Sequence, residues 1–110
     1  MPESGISLLR GTLDVLILRM LHGSELHGYA IAALLEARSG GVLRIEDGAL
    51  YQSLHRMEAR GWIDAAWGHA ESGKRAKFYR LTREGARQLE SETEHWMRYA
   101  DAVFRVLQPA

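Results

Sequence analysis

Residues 47–63 read DGALYQSLHRMEARGWI. Wound as a helix, Leu50, Leu54 and Met57 fall at i, i+4 and i+7, a narrow apolar stripe that faces a core. The far side is left to Gln52, His55, Arg56 and Ala59, and Gly61 stops the helix after about four turns. Small residues (Gly48, Ala49, Ser53, Ala59) allow close approach to a surface while Gln, His and Arg reach outward, which suits insertion into a nucleic-acid groove. An ordinary surface helix shows the same pattern. What lies on either side of the stretch therefore decides between the two.

Downstream of Gly61 the period changes from 3.6 to 2. Ile63, Ala65 and Trp67 alternate with Asp64 and Ala66, Gly68 to Gly73 is a polar turn, and Lys77, Tyr79 and Leu81 alternate with Ala76, Phe78 and Arg80. This predicts a β-hairpin with a basic returning strand. Upstream, Leu8, Leu9, Leu13, Leu16, Ile17, Met20 and Leu21 predict a first helix that is apolar over more than half its circumference. A second helix is expected from about Leu26 to Arg38, ended by Ser39-Gly40-Gly41, and Val42 to Ile45 is expected as a stub of strand. Glu46 and Asp47 suit the positive end of the third helix, with Asp47 as its cap. The expected fold is mainly α with a small β-hairpin: a winged helix-turn-helix over residues 1–81, whose third helix enters the major groove while the hairpin follows the backbone. Lys74, Arg75 and Lys77 are the expected phosphate contacts.

The whole chain of 110 residues is electrically neutral, with 14 basic and 14 acidic side chains. The balance is uneven along it: residues 1–68 carry six basic and eight acidic groups, residues 69–87 six and two, residues 88–110 two and four. A basic patch from Lys74 to Arg87 thus sits on a slightly acidic body, the footprint of a nucleic-acid binder. The absence of cysteine excludes disulfides, thiolate metal sites and cysteine nucleophiles, and fits a reducing compartment. Asp14 and Arg19 interrupt the apolar run near the start, which reads as a buried helix and neither a signal peptide nor a membrane span, so a cytoplasmic location is expected.

Thr82 is the expected N-cap of a last helix, with Gly85 at N3, that runs unbroken to Leu107 and spans roughly 39 Å. Leu89, Trp96 and Val103 are spaced by seven, with Ala100 and Leu107 in a second row beside them and Tyr99 and Phe104 at its borders. Such a stripe asks for a second copy, so residues 82–110 are expected as a dimerisation helix meeting Leu9 and Leu13 of the other chain. The alternative is that this helix folds back over its own core.

The ordered set Leu13 to Leu21, His27-Gly28-Tyr29, Gly48-Ala49-Leu50-Tyr51, Leu54-His55-Arg56-Met57-Glu58, Gly61-Trp62-Ile63, Trp67 and Lys77-Phe78-Tyr79-Arg80-Leu81-Thr82 with Gly85 resembles the PadR family of bacterial transcriptional regulators, in its short form with a single C-terminal helix. The likeness covers residues 8–107. It implies a homodimeric winged-helix repressor that binds a palindromic operator and, in some members, is released by a small aromatic or drug-like effector. It also implies that Tyr51 contacts DNA. Gln52 stands where many relatives carry Pro, and Glu46-Asp47 places acid near the groove end of the helix.

Gly48, Tyr51, Gln52, His55 and Arg56 are therefore the expected DNA-facing residues of the third helix, with Gln52, His55 and Arg56 directed to base edges and Tyr51 to the backbone. Trp96 is open to two readings, as packed interface or as the wall of a pocket for a flat effector. No enzyme is expected. The five histidines are scattered without a metal-ligand pattern, Ser53 and His55 point in different directions on one helix, and no metal or cofactor is implied. A winged helix that binds protein instead of DNA is the alternative, disfavoured because it needs no basic hairpin.

Overall fold

The apolar run after Gly11 winds into α1 (Arg10–Met20), which is enclosed around most of its girth: Leu13, Val15, Ile17, Leu18 and Met20 are all buried. The computed structural model describes residues 6–7 and 10–109. Against α1 pack α2 (Gly28–Arg38), which buries Ile31 and Leu35, and α3 (Asp47–Ala59), which buries Leu50, Ser53, Leu54 and Met57. Ile17, Leu18, Leu21, Ile31, Leu50, Leu54, Met57 and Ile63 are almost wholly removed from water. At about 1.5–3 kcal/mol for each such side chain, this cluster supplies most of what holds so short a chain together.

Short strands tie the helices to a sheet. β1 (Ile6–Ser7) lies parallel to β3 (Leu43–Arg44), between α2 and α3. β2 (Leu26–His27) lies antiparallel to β5 (Arg75–Leu81), which pairs on its other side with β4 (Ile63–His69), so the three-stranded order is β2-β5-β4. The expected hairpin is thus present, with Ile63 opposite Leu81 and His69 opposite Arg75. Its turn is shorter than expected, because the strand runs on through His69. Ala70 N–H donates to Lys74 O at 2.9 Å and Gly73 N–H to Ala70 O at 2.8 Å to close it.

Helix ends follow local chemistry. α3 stops at Gly61, whose φ of +80° is costly for any side chain. Gly61 N–H reaches Glu58 O at 3.0 Å and Trp62 N–H reaches Met57 O at 3.0 Å, the paired bonds of a left-handed helix terminus. The second helix begins later than its apolar pattern suggests. Leu26 and His27 are taken by the sheet edge, and His27 becomes the N-cap, its Nδ1 accepting from Ala30 N–H at 3.2 Å. Asp47 does not cap α3 as expected. Glu46 holds the cap position without a side-chain cap bond, and Asp47 is already helical. Its carboxylate still complements the positive helix end.

α4 (Arg83–Leu107) starts as expected on Thr82, whose Oγ1 accepts from Gly85 N–H at 3.0 Å. Its first half lies on α1, with Leu89 buried and the indole N–H of Trp96 donating to Thr12 Oγ1 at 3.0 Å. From Met97 onward Tyr99, Val103, Phe104, Val106 and Leu107 are exposed.

Candidate nucleic-acid interface

The buried stripe of α3 leaves Gly48, Ala49, Tyr51, Gln52, His55 and Ala59 facing outward. Tyr51 leans across the start of α2, where a Cβ on Gly28 would lie 2.5 Å from its phenolic oxygen; the bare glycine gives the ring its seat. Across from α3 stands the hairpin, and register decides which of its residues look toward the helix. Directly paired residues share a face. Trp67 with Lys77 and His69 with Arg75 therefore lie on the face that carries buried Ile63 and Tyr79. Burial pushes the Tyr79 hydroxyl pKa up, with the Glu58 carboxylate and Tyr51 adding to the effect. The result is a groove of ≈ 1410 Å³ bounded by Tyr29 on α2, Tyr51 and His55 on α3, and Trp67, Lys74 and Arg75 on the hairpin.

Ion pairing sharpens the basic patch. Lys77 Nζ lies 3.3 Å from Glu58, Arg80 lies 3.8 Å from Glu25 and 3.9 Å from Asp64, and Arg87 lies 3.1 Å from Glu84. Lys74 and Arg75 have no carboxylate within ion-pair distance among the described residues, and both are exposed at the hairpin tip. Arg75 stacks instead on an aromatic ring, its guanidinium 4.1 Å from the centre of the Trp67 ring. Such stacking holds a cation in place without neutralising it.

Several expected site residues stand elsewhere. Arg56 does not face the groove: its Nη2 donates to both carboxylate oxygens of Asp14, at 2.6 and 2.8 Å, and to Ser53 Oγ at 3.3 Å. Breaking a half-buried pair to reach a base would strand the carboxylate, so Arg56 is withdrawn from the base-reading set. Lys77 is bound to Glu58 and is not a free phosphate contact. Leu13 and Leu89 are buried inside the protomer and cannot form a seam with a partner. Leu9 lies outside the described residues. Trp96 is half-buried on α1, and the hollow of ≈ 290 Å³ on α4 is walled by Tyr99, Ala102, Val103, Val106 and Leu107, without it.

Two groove residues escape sequence reasoning. Trp67 enters there as part of an alternation and of the family likeness, without a role in the groove, yet it is exposed and carries Arg75. Tyr29, at 78 % exposure, falls by its spacing on the apolar side of the second helix. For Trp67 the available signal is compositional: a large aromatic in a strand next to a polar, basic turn.

Comparison with known proteins places this geometry. The model of the "Transcriptional regulator PadR-like family" matches residues 17–91. A transcriptional regulator from Clostridium thermocellum superposes with a TM-score of 0.81 at 27 % identity, over 90 % of this chain and 96 % of that one. A PadR family transcriptional regulator from Eggerthella lenta gives 0.76 at 33 % identity, over 92 % and 86 %. A PadR-like transcriptional regulator from Bacillus cereus gives 0.77 at 26 % identity, over 93 % and 97 %. Among the described residues no helix is long and apolar enough to cross a membrane. A family model covering most of the chain, and a groove built from the exposed face of α3 and a basic hairpin, agree: this protein belongs to the PadR-like family of transcriptional regulators, which are not enzymes.

Proposed function

We propose that the protein is a homodimeric repressor that binds a palindromic operator, with residues 1–81 reading DNA and residues 82–110 joining the two copies. The observation that carries the DNA half is the pair of unneutralised cations, Lys74 and Arg75, set across a groove from the exposed face of α3. Gln52 and His55 meet base edges, Tyr51 and Tyr29 the sugar-phosphate flank, and Lys74 and Arg75 the phosphates beside it. The observation that supports the dimer is the uncovered apolar arc at the end of α4, where Val106 and Leu107 are 82 % and 75 % exposed. Soluble proteins seldom leave such a face to water. Two-fold pairing there presents two copies of α3, and the matching DNA is an inverted repeat whose half-sites lie about one helical turn, or a multiple, apart.

The direct test is electrophoretic binding to the DNA upstream of the protein's own gene. Replacing Lys74 and Arg75 together by Ala is expected to weaken binding to every sequence. With two cations fewer against the phosphates in each subunit, the slope of log K against log salt falls by about 3 to 4, since each neutralised phosphate contributes about 0.9. A double variant with the wild-type slope would remove the hairpin from the DNA interface.

Gln52→Ala makes a contrasting prediction. Removing a group that reads a base changes discrimination at one position in each half-site by about 1–3 kcal/mol and leaves the salt slope alone. Competition among duplexes carrying single base substitutions reads this out. Equal weakening on all of them would reassign Gln52 to the backbone.

A further inference from the structure

Two polar links leave α1 toward nearly opposite sides. Thr12 accepts the indole N–H of Trp96 from α4 at 3.0 Å, and Asp14, two residues on, holds Arg56 of α3 through both carboxylate oxygens at 2.6 and 2.8 Å. The Asp14 and Arg56 side chains are only 18 % and 20 % exposed. Ser53, the one buried polar side chain among the described residues, adds its hydroxyl to the same guanidinium at 3.3 Å. The other buried side chains described in α1, α3 and α4 are apolar, and at the α3–α4 junction the Thr82 N–H and hydroxyl bond the carbonyls of Trp62 and Gly61. Apolar packing is non-directional and tolerates small slides, whereas hydrogen-bonded charge pairs fix both distance and angle.

From this we propose that α1 is the ruler of the operator. The Asp14–Arg56 and Thr12–Trp96 links clamp the recognition helix α3 to the dimerisation helix α4, so that they set the separation and rotation of the two α3 helices and hence the spacing of half-sites that the dimer accepts. Arg56 and Thr12 are positioning residues. Neither touches a base. The inference rests on the dimer reading given above. Its mechanical content is simple: one base pair added between half-sites moves one of them by about 3.4 Å and about 35°. A rigid α3–α1–α4 unit cannot follow that shift, and a loosened one can.

The test uses a duplex selected by the wild-type protein from a randomised pool, remade with one base pair inserted or removed between its half-sites. Wild type is expected to lose about tenfold or more in affinity on either change, and Arg56→Met, Asp14→Asn and Thr12→Val about threefold or less. All three variants should stay dimeric in sedimentation and keep the wild-type ranking of base substitutions within the half-site. A role confined to stability would lower affinity on all spacings alike. Should Arg56→Met fail to fold, Thr12→Val, which replaces the hydroxyl by a methyl of similar size, still decides the matter. Variants that keep the wild-type spacing penalty overturn the proposal, as does an Arg56→Met protein whose preference changes at one base of each half-site. A wild-type protein that sediments as a monomer fails the dimer reading, and this one with it, before any spacing is measured. A dimeric wild type indifferent to spacing fails this inference alone.

Discussion

Val103→Asp is expected to turn the dimer into monomers and to reduce operator binding by about 10²- to 10⁴-fold, the advantage that joining two half-site readers provides. Val103 is partly covered in the protomer and borders the hollow formed with Tyr99, Ala102, Val106 and Leu107. On a helix these residues cluster on one side, with Phe104 and Met97 at its edge. In a two-fold pairing each copy would bury the new carboxylate against the other's apolar arc, and two-fold symmetry doubles the penalty. An unpaired buried charge costs several kcal/mol unless it is protonated or escapes to water. The fold of the protomer should survive, because position 103 lies beyond the part of α4 that packs on α1. Sedimentation at tens of micromolar protein, with circular dichroism as the control for folding, checks it. A Val103→Asp protein that remains dimeric and still holds its operator would sink this account of the last helix.

Gly85→Ala should lower stability by about 3 kcal/mol and the melting temperature by about 10 °C, although alanine favours helices by up to about 1 kcal/mol over glycine. The reason is the neighbour. A Cβ at position 85 would overlap the carbonyl oxygen of Trp62 and crowd Leu81 Cδ2 at 3.1 Å. That carbonyl cannot swing away: it accepts Thr82 N–H at 3.1 Å, and the Thr82 hydroxyl lies 3.1 Å from it and 2.6 Å from Gly61 O. The start of α4 is thus pressed onto the end of α3 through backbone alone. Gly11→Ala is the matched control, since its Cβ would meet nothing within 4 Å. Equal melting temperatures for Gly85→Ala and wild type would show that the helix start can shift without cost.

These two positions illustrate what the residue order reveals and what it withholds. Thr82 and Gly85 announce a helix start by local chemistry, and that start is where they put it. The α3 stripe, the Gly61 stop and the β4–β5 hairpin are likewise local and legible from period and turn residues. Which surface covers which is not local. Leu89 and Trp96 belong to the same heptad row as Val103, but α1 of the same chain covers the first two and leaves the third exposed. Arg56 has the pattern of a groove-facing residue, and only folding brings Asp14, 42 positions earlier in the sequence, within reach of it. The two-residue strand Leu26–His27 is too short to show a period, so the apolar rhythm of α2 runs on through it.

The uneven spread of charge also has a kinetic side. With 14 positive and 14 negative side chains the protein has no monopole for a distant polyanion to pull on. What approaching DNA experiences is a dipole, positive at the Lys74–Arg75 tip and negative over the body and the stretch of α4 around Glu90, Glu92 and Glu94. Within about a Debye length, roughly 10 Å at moderate salt, that dipole produces a torque that turns the hairpin toward the duplex. Encounters are therefore seldom sped by long-range attraction, yet those that come close are rotated into a productive pose.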